Sequence, residues 1–353
     1  MDAAPSPRRP ASLAETAPLV SPPTHVDELY AAFVDTLPEG LRDVARAFPV
    51  ILGLAPTPDV PWSEVFSNEI TLAAPTLVAA AMPTISAEVT RQAGLAHLLA
   101  IIDAFGTDRL LDGQIDPAPE IDAVLTLVRR ARDAALAGVL ALAPEGGRDG
   151  EHDGEDDELS YARAEAETAA AIRAEHAILR SGEAVTWSRY LSLAHAKQRL
   201  GLPASLALAR VAGWDARRRR ALARLLDAVC VGLQLHDDVV DWEDDLSRGG
   251  AWAASLAAQA SLHVDAHDRR TIPVSARRLV QASGALLRML EQATRSFRAA
   301  RRRAGVLGME RVAAWARERE LTVGELARQE AVSPGHTNRA RALSIWAKTV
   351  LSE

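Results

Sequence analysis

The sequence predicts an all-α protein, and three observations carry that prediction. Alanine dominates the apolar residues, aromatic residues are only 4% of the chain, and runs of β-branched residues are scarce. Such a composition favours helices over sheets. Between its Pro and Gly breaks the chain falls into segments of helical length, with 48% hydrophobic and 25% charged residues overall, the balance of a soluble globular protein. A length of 353 residues suffices for a sizeable core.

Residues 1–25 are rich in Pro, Ala and Ser and read as a disordered lead-in. Residues 26–353 read as one helical domain. The first helix starts near Thr24, with early acids at Asp27 and Glu28, and runs to about Thr36. A second covers Leu41 to Leu54, before Pro56, Pro58 and Pro61 interrupt the chain. Glu69 to Met82 is nearly all apolar, as expected of a buried helix, and Pro83 ends it. Ser86 then caps a helix from Ala87 to Asp112, closed by Gly113 and Pro117. Helices over Glu120 to Ala143, Leu159 to Ser181 and Trp187 to Leu200 follow. The Gly/Asp/Glu/His run at 145–158 between the first two has no calcium-loop spacing and reads as a mobile acidic loop. Past Leu246 the chain is expected to loop through to Trp252, and Ser261 to Ile272 is polar and loop-like. Pro273 opens a long helix to about Arg303. Met309 to Glu320, Val323 to Gln329 and Asn338 to Leu351 complete the helical segments.

One stretch stands apart. The apolar run Ala221 to Leu235 leads directly into six acids between Asp237 and Asp245, and no basic residue appears until Arg248. On a continuous helix Asp237, Asp241 and Asp244 fall within about 60° of one another, and Arg248 extends the line. An acidic run is ordinarily a solvated face. Here Val239, Val240 and Trp242 are threaded among the acids, which puts the carboxylates at the edge of a core. There, like charges four apart repel unless a cation lies between them. A set of hard oxygen ligands suits Mg²⁺ rather than Zn²⁺. Asp108 and Asp112 form a smaller pair four apart on the Ala87–Asp112 helix, and Asp103 lies about 140° away from Asp108. His195 and His236 complete no zinc set, and Cys230 inside the apolar run reads as a small core residue.

Gly232-x-Gln234-x-x-Asp237-Asp238-x-x-Asp241, followed by Asp244 and the Gly249-Gly250 turn, resembles the second aspartate-rich motif of class I isoprenoid (terpenoid) synthases, trans-prenyl diphosphate synthases in particular. The resemblance covers roughly residues 65–305 and implies a helical bundle around a central active-site cavity. It assigns catalysis to Asp237, Asp238 and Asp241. Two or three Mg²⁺ ions, replaceable by Mn²⁺, are assigned to these residues with Asp244 and with Asp108 and Asp112 as a reduced first motif, 130 positions before Asp238. Diphosphate binding falls to Lys197, 41 positions before Asp238, and to Gln234 and Arg248. The substrate is then an all-trans allylic prenyl diphosphate, ionised to an allylic cation in an apolar cavity walled by Leu95–Phe105 and Leu226–Leu235. A terpene synthase is the first reading, because residues 26–90 contain only Arg42 and Arg46 and so lack the basic segment that holds isopentenyl diphosphate. Chain elongation by a trans-prenyl diphosphate synthase is the second, and a helical interaction protein without catalysis the third.

Charge and composition set the other expectations. A net charge of −7 gives no support for nucleic-acid binding. No apolar stretch reaches the length of a membrane span, and Arg8 and Arg9 are not followed by the apolar core of a secretory signal. One cysteine permits no internal disulfide, which fits a cytoplasmic protein. The family resemblance implies a homodimer.

Overall fold

A computed structural model describes residues 24–58, 60–66, 69–111, 113–144, 159–248, 250–261 and 279–332. Among them there is no strand. Residues 1–23 of the lead-in, the whole acidic loop at 145–158, Asp112, Gly249, residues 262–278 with the helix start expected at Pro273, and the helix expected over Asn338 to Leu351 lie outside the described residues.

The first helices are α1 (Thr24–Asp35), α2 (Glu39–Arg46), α3 (Phe48–Ile51), α4 (Trp62–Val65) and α5 (Ile70–Ala79). Inside α5, Pro75 removes a backbone donor and crowds the preceding turn, and Ala73 leaves helical geometry at φ −112°. Two long helices follow, α6 (Ala87–Leu111) and α7 (Pro119–Leu140). The Ser86 hydroxyl caps α6 by accepting from the Val89 amide at 3.3 Å. Next come α8 (Tyr161–Ser181), α9 (Trp187–Lys197), a 3₁₀ turn (Arg199–Gly201), α10 (Pro203–Val211) and α11 (Ala216–Val240). Capping side chains start three of these: Ser160 for α8, Thr186 for α9 and Asp215 for α11. The chain closes with α12 (Trp242–Arg248), α13 (Trp252–Ser261), α14 (Ala285–Val306) and α15 (Glu310–Ala331).

Four features differ from the sequence expectation. α10 forms where no helix was assigned, with Pro203 at its start, where a missing N–H costs nothing. α13 fills the stretch between the loop expected through Trp252 and the one expected from Ser261, where no helix is expected. The long helix after residue 279 is interrupted at Gly284, whose φ of +73° ends one helical segment and starts α14. The two helices expected over 309–329 are one, α15, with Leu321 and Thr322 in its middle.

Apolar side chains gather in two cores, and α6 serves both. Leu98, Leu99 and Ile102 on one face pack with Phe33, Phe48 and Trp62 of α1, α3 and α4 and with Val124 and Val128 of α7. Ala93, Ala96 and Ala100 on another face join the larger core of α5, α8–α11 and α13–α15. The large side chains expected to wall a cavity beside the acids, Leu98, Leu99 and Ile102, therefore belong to the other core. α11 is close-packed along α14: a Cβ on Gly232 would stand 2.9 Å from the Phe297 ring, so only glycine permits this approach. α6 and α11 are not close-packed neighbours; α10 packs against both.

Candidate active site

The acid-rich stretch does not form one continuous helix. α11 ends at Val240, Asp241 adopts φ −101° and ψ 5°, and α12 begins at Trp242. Backbone bonds nonetheless cross the break, from the Asp241 amide to the Asp237 carbonyl and from the Asp245 amide to the Asp241 carbonyl, each 2.9 Å. The break re-aims the first turn of α12. Asp245, pushed up to about 6 by burial and then by Asp241, faces Asp241 and Asp237. Asp244 is exposed, and its carbonyl accepts from the Ser247 hydroxyl at 2.7 Å. Asp245 is half-buried and acts electrostatically with Asp241 and Asp237.

Asp238 is the buried member, at 7% exposure. One oxygen accepts the Tyr190 hydroxyl and the other the Gln234 amide at 2.8 Å. Gln234 accepts in turn from Gln198 at 3.0 Å, so its amide is engaged in orienting Asp238. Burial pushes the Asp238 carboxyl up to about 7, although Tyr190, Gln234 and Lys197 act to lower it. The Tyr190 phenol rises for the same reason, burial first and the neighbouring carboxylate second. Asp237 is solvent-accessible, and partial desolvation, then Asp241, raises its carboxyl against the opposing charges of Lys197 and Arg109.

Lys197 sits at the end of α9 with only 17% of its side chain exposed. Burial favours the neutral amine, yet the neighbouring carboxylates of Glu175, Asp108 and Asp238 outweigh it and hold the group charged. Asp108 and Arg109 come from the end of α6, and Asp237 and Asp238 from the end of α11. The charges of Glu175, Asp108 and Asp238 act on Lys197, and those of Asp241, Lys197 and Arg109 act on Asp237, which couples the ends of α6, α9 and α11 electrostatically. Arg248 is 61% exposed and lies 3.8 Å from Asp245.

Sequence reasoning passed over Glu175, Tyr190, Trp252, Arg109 and Asp245. Only Asp245 left a local signal, the 237/241/245 spacing; the others act across distant helices. Asp103 is buried in a separate ionic cluster, bonded to Arg132 at 2.7 Å and Arg129 at 2.8 Å, with Glu165 beside both arginines. His195 bonds Asp227 at 2.6 Å, and His236 is held down to about 4 by burial and by Arg319. Cys230 is a free thiol pushed up to about 12 by burial.

Among the described residues no three His, Cys, Asp or Glu side chains gather closely enough to hold a cation by themselves. Magnesium is commonly bound by one or two carboxylates plus substrate phosphate oxygens rather than by an all-protein cage. An oxygen-only donor set, with acids raised first by burial and then by neighbouring carboxylates, fits that mode. No helix of the described residues is long and apolar enough to cross a membrane.

No protein-family model matches the chain, and no curated protein matches it. Solved structures do. A polyprenyl synthetase from Streptomyces coelicolor A3(2) aligns with a TM-score of 0.60 and 16% identity, over 84% of this chain and 96% of that one. A geranylgeranyl pyrophosphate synthetase from the archaeon Geoglobus acetivorans aligns with a TM-score of 0.58 and 16% identity, over 84% and 95%. A polyprenyl synthase from Roseobacter denitrificans gives 0.54 and 16%, over 85% and 99%. The chain has the all-α fold of trans-prenyl synthases.

Proposed function

We propose that the protein is a Mg²⁺-dependent enzyme that ionises an all-trans allylic prenyl diphosphate. One observation carries this reading: Asp108 from α6 and Asp237 and Asp238 from α11 converge electrostatically on the buried ammonium of Lys197. A cluster of acids around one lysine has the charge pattern that metal ions and a diphosphate together complete. Magnesium held by Asp108 on one side and by Asp237, Asp238 and Asp241 on the other, with Asp245 in support and Asp112 outside the described residues, would neutralise the departing diphosphate. Lys197 donates to a diphosphate oxygen as a point charge. Gln234 and Tyr190 keep the Asp238 carboxylate aimed. The chain needs no nucleophile; it needs charge at the leaving group and apolar surroundings for the cation.

The fate of the cation separates two readings. The names of the structural neighbours favour transfer to isopentenyl diphosphate, and prenyl transfer moves ahead of the terpene synthase preferred from sequence. The terpene synthase keeps one specific support. Arg42 donates to the Leu37 and Asp35 carbonyls and Arg46 bonds Asp43, so the two cations of residues 26–90 serve α1 and α2 locally. Purified protein incubated with Mg²⁺ and geranyl, farnesyl or geranylgeranyl diphosphate, with and without isopentenyl diphosphate, decides between them. Longer diphosphates formed only with isopentenyl diphosphate establish elongation. Hydrocarbons or alcohols formed without it establish the synthase. No turnover in any arm refutes both and leaves a helical interaction protein.

A further inference from the structure

Glu175 is a buried acid that neither reading uses. It lies in the middle of α8 at 7% exposure. One carboxylate oxygen accepts the indole N–H of Trp252 at 2.7 Å, and the other pairs with the Lys197 ammonium. Trp252 is the first residue of α13, and its placement is built in. A Cβ on Gly250 would lie 2.8 Å from the Leu179 carbonyl oxygen, so glycine lets the start of α13 lie directly on α8, one turn beyond Glu175. The Trp252 ring packs on Tyr190 with centroids 5.0 Å apart, and Tyr190 in turn holds Asp238. The contacts therefore run from Lys197 through Glu175, Trp252 and Tyr190 to Asp238.

We propose that Glu175 is the positioning residue of Lys197: it anchors one ammonium hydrogen so that the remaining donors point to where the diphosphate sits between the two acid clusters. A lysine side chain is a flexible four-carbon stem with no preferred direction of its own. Holding it in advance makes its charge count most in the transition state, when negative charge has built up on the leaving group. The inference rests on the proposed ionisation of an allylic diphosphate, and its signature is a loss in kcat rather than in KM.

The test is a double-mutant cycle of Glu175→Gln and Lys197→Gln, with steady-state kinetics on the allylic diphosphate that the wild type accepts. Glu175→Gln should lower kcat by about 10- to 100-fold with KM changed less than about threefold. In a Lys197→Gln background the same change should have no further effect on kcat. Glu175→Asp, which keeps the charge, should recover part of the rate. Trp252→Phe, which keeps the ring stack and removes the N–H, should give a smaller drop of the same kind and guards against misfolding of the Glu175 variant. A wild type inert on every allylic diphosphate refutes the underlying reading. An active wild type with full kcat in Glu175→Gln, or with losses that multiply in the double variant, refutes the positioning role alone.

Discussion

Asp103 and Asp238 are both buried carboxylates, and the protein answers their charge in opposite ways. Asp103, 1% exposed on α6, is met by two guanidiniums, and Arg132 is itself buried at 1% beneath Glu165 and Asp133. The Arg132 guanidinium also lies 4.8 Å from the centre of the Tyr161 ring. That cluster is electrostatically complete and ties α6 to α7 and α8. Asp238 bonds only to a phenol and an amide, and its nearby acids, Glu175 among them, add to the negative charge. The first carboxylate stabilises a helix packing; the second stores a demand for cations. Burial alone separates a structural acid from a functional one poorly; what bonds to the acid separates them well.

Breaking the complete cluster should have the largest effect. Arg132→Leu leaves Asp103 buried without its main partner and should cost roughly 3–5 kcal/mol in urea unfolding. Asp238→Asn should do the reverse. Turnover should fall by more than about 100-fold, roughly 3 kcal/mol in the barrier, while urea unfolding at neutral pH should show no loss of stability, because the variant no longer buries a carboxylate.

The same variant sharpens the contrast with pH. Asp238, at about 7 when folded, lies above its unfolded value, so its stabilising contribution is present below about pH 4 and is lost as pH rises through 7. His97 has the opposite sign. It is buried against the Thr71 carbonyl at 2.8 Å and held down to about 4, so its contribution is present above about pH 6.5 and is lost as pH falls through 4. His236 acts in the same direction as His97. These slopes oppose each other in the wild type. In metal-free buffer the unfolding free energy of Asp238→Asn should climb more steeply between pH 4 and 6.5 than that of the wild type. A flatter profile in the variant would contradict this assignment.

Gly250→Ala should cost about 1–3 kcal/mol, because the Leu179 backbone cannot give way as a side-chain tip can. It should also lower activity through Trp252. The exposed pair of Arg328 and Glu325 is the control; Arg328→Ala should change the melting free energy by less than about 0.5 kcal/mol.

Much of this contrast was legible in the sequence. The apolar run leading into acids marked the body of α11, and the family resemblance pointed to Lys197 by its 41-position spacing. The break at Asp241 was not legible, since no Pro or Gly marks it, and with it went the choice between Asp244 and Asp245. Glu175 and Trp252 are 77 positions apart, and nothing local in either segment announces the bond between them. α13 had no capping or periodic signal of its own, and Gly250 before it serves a close approach to Leu179 rather than only a turn. α15 runs on through Leu321 and Thr322 because Val323 is fully buried against the core, and packing outweighs the weak helix preference of threonine.

Calorimetric titration of the wild type and of Asp237→Asn with Mg²⁺ and inorganic diphosphate tests most directly whether the acids around Lys197 form a metal–diphosphate site. Diphosphate should bind the wild type only when Mg²⁺ is present, and the Asp237 variant should bind at least about tenfold more weakly. Equal binding with and without Mg²⁺, or equal binding by the two proteins, would contradict it.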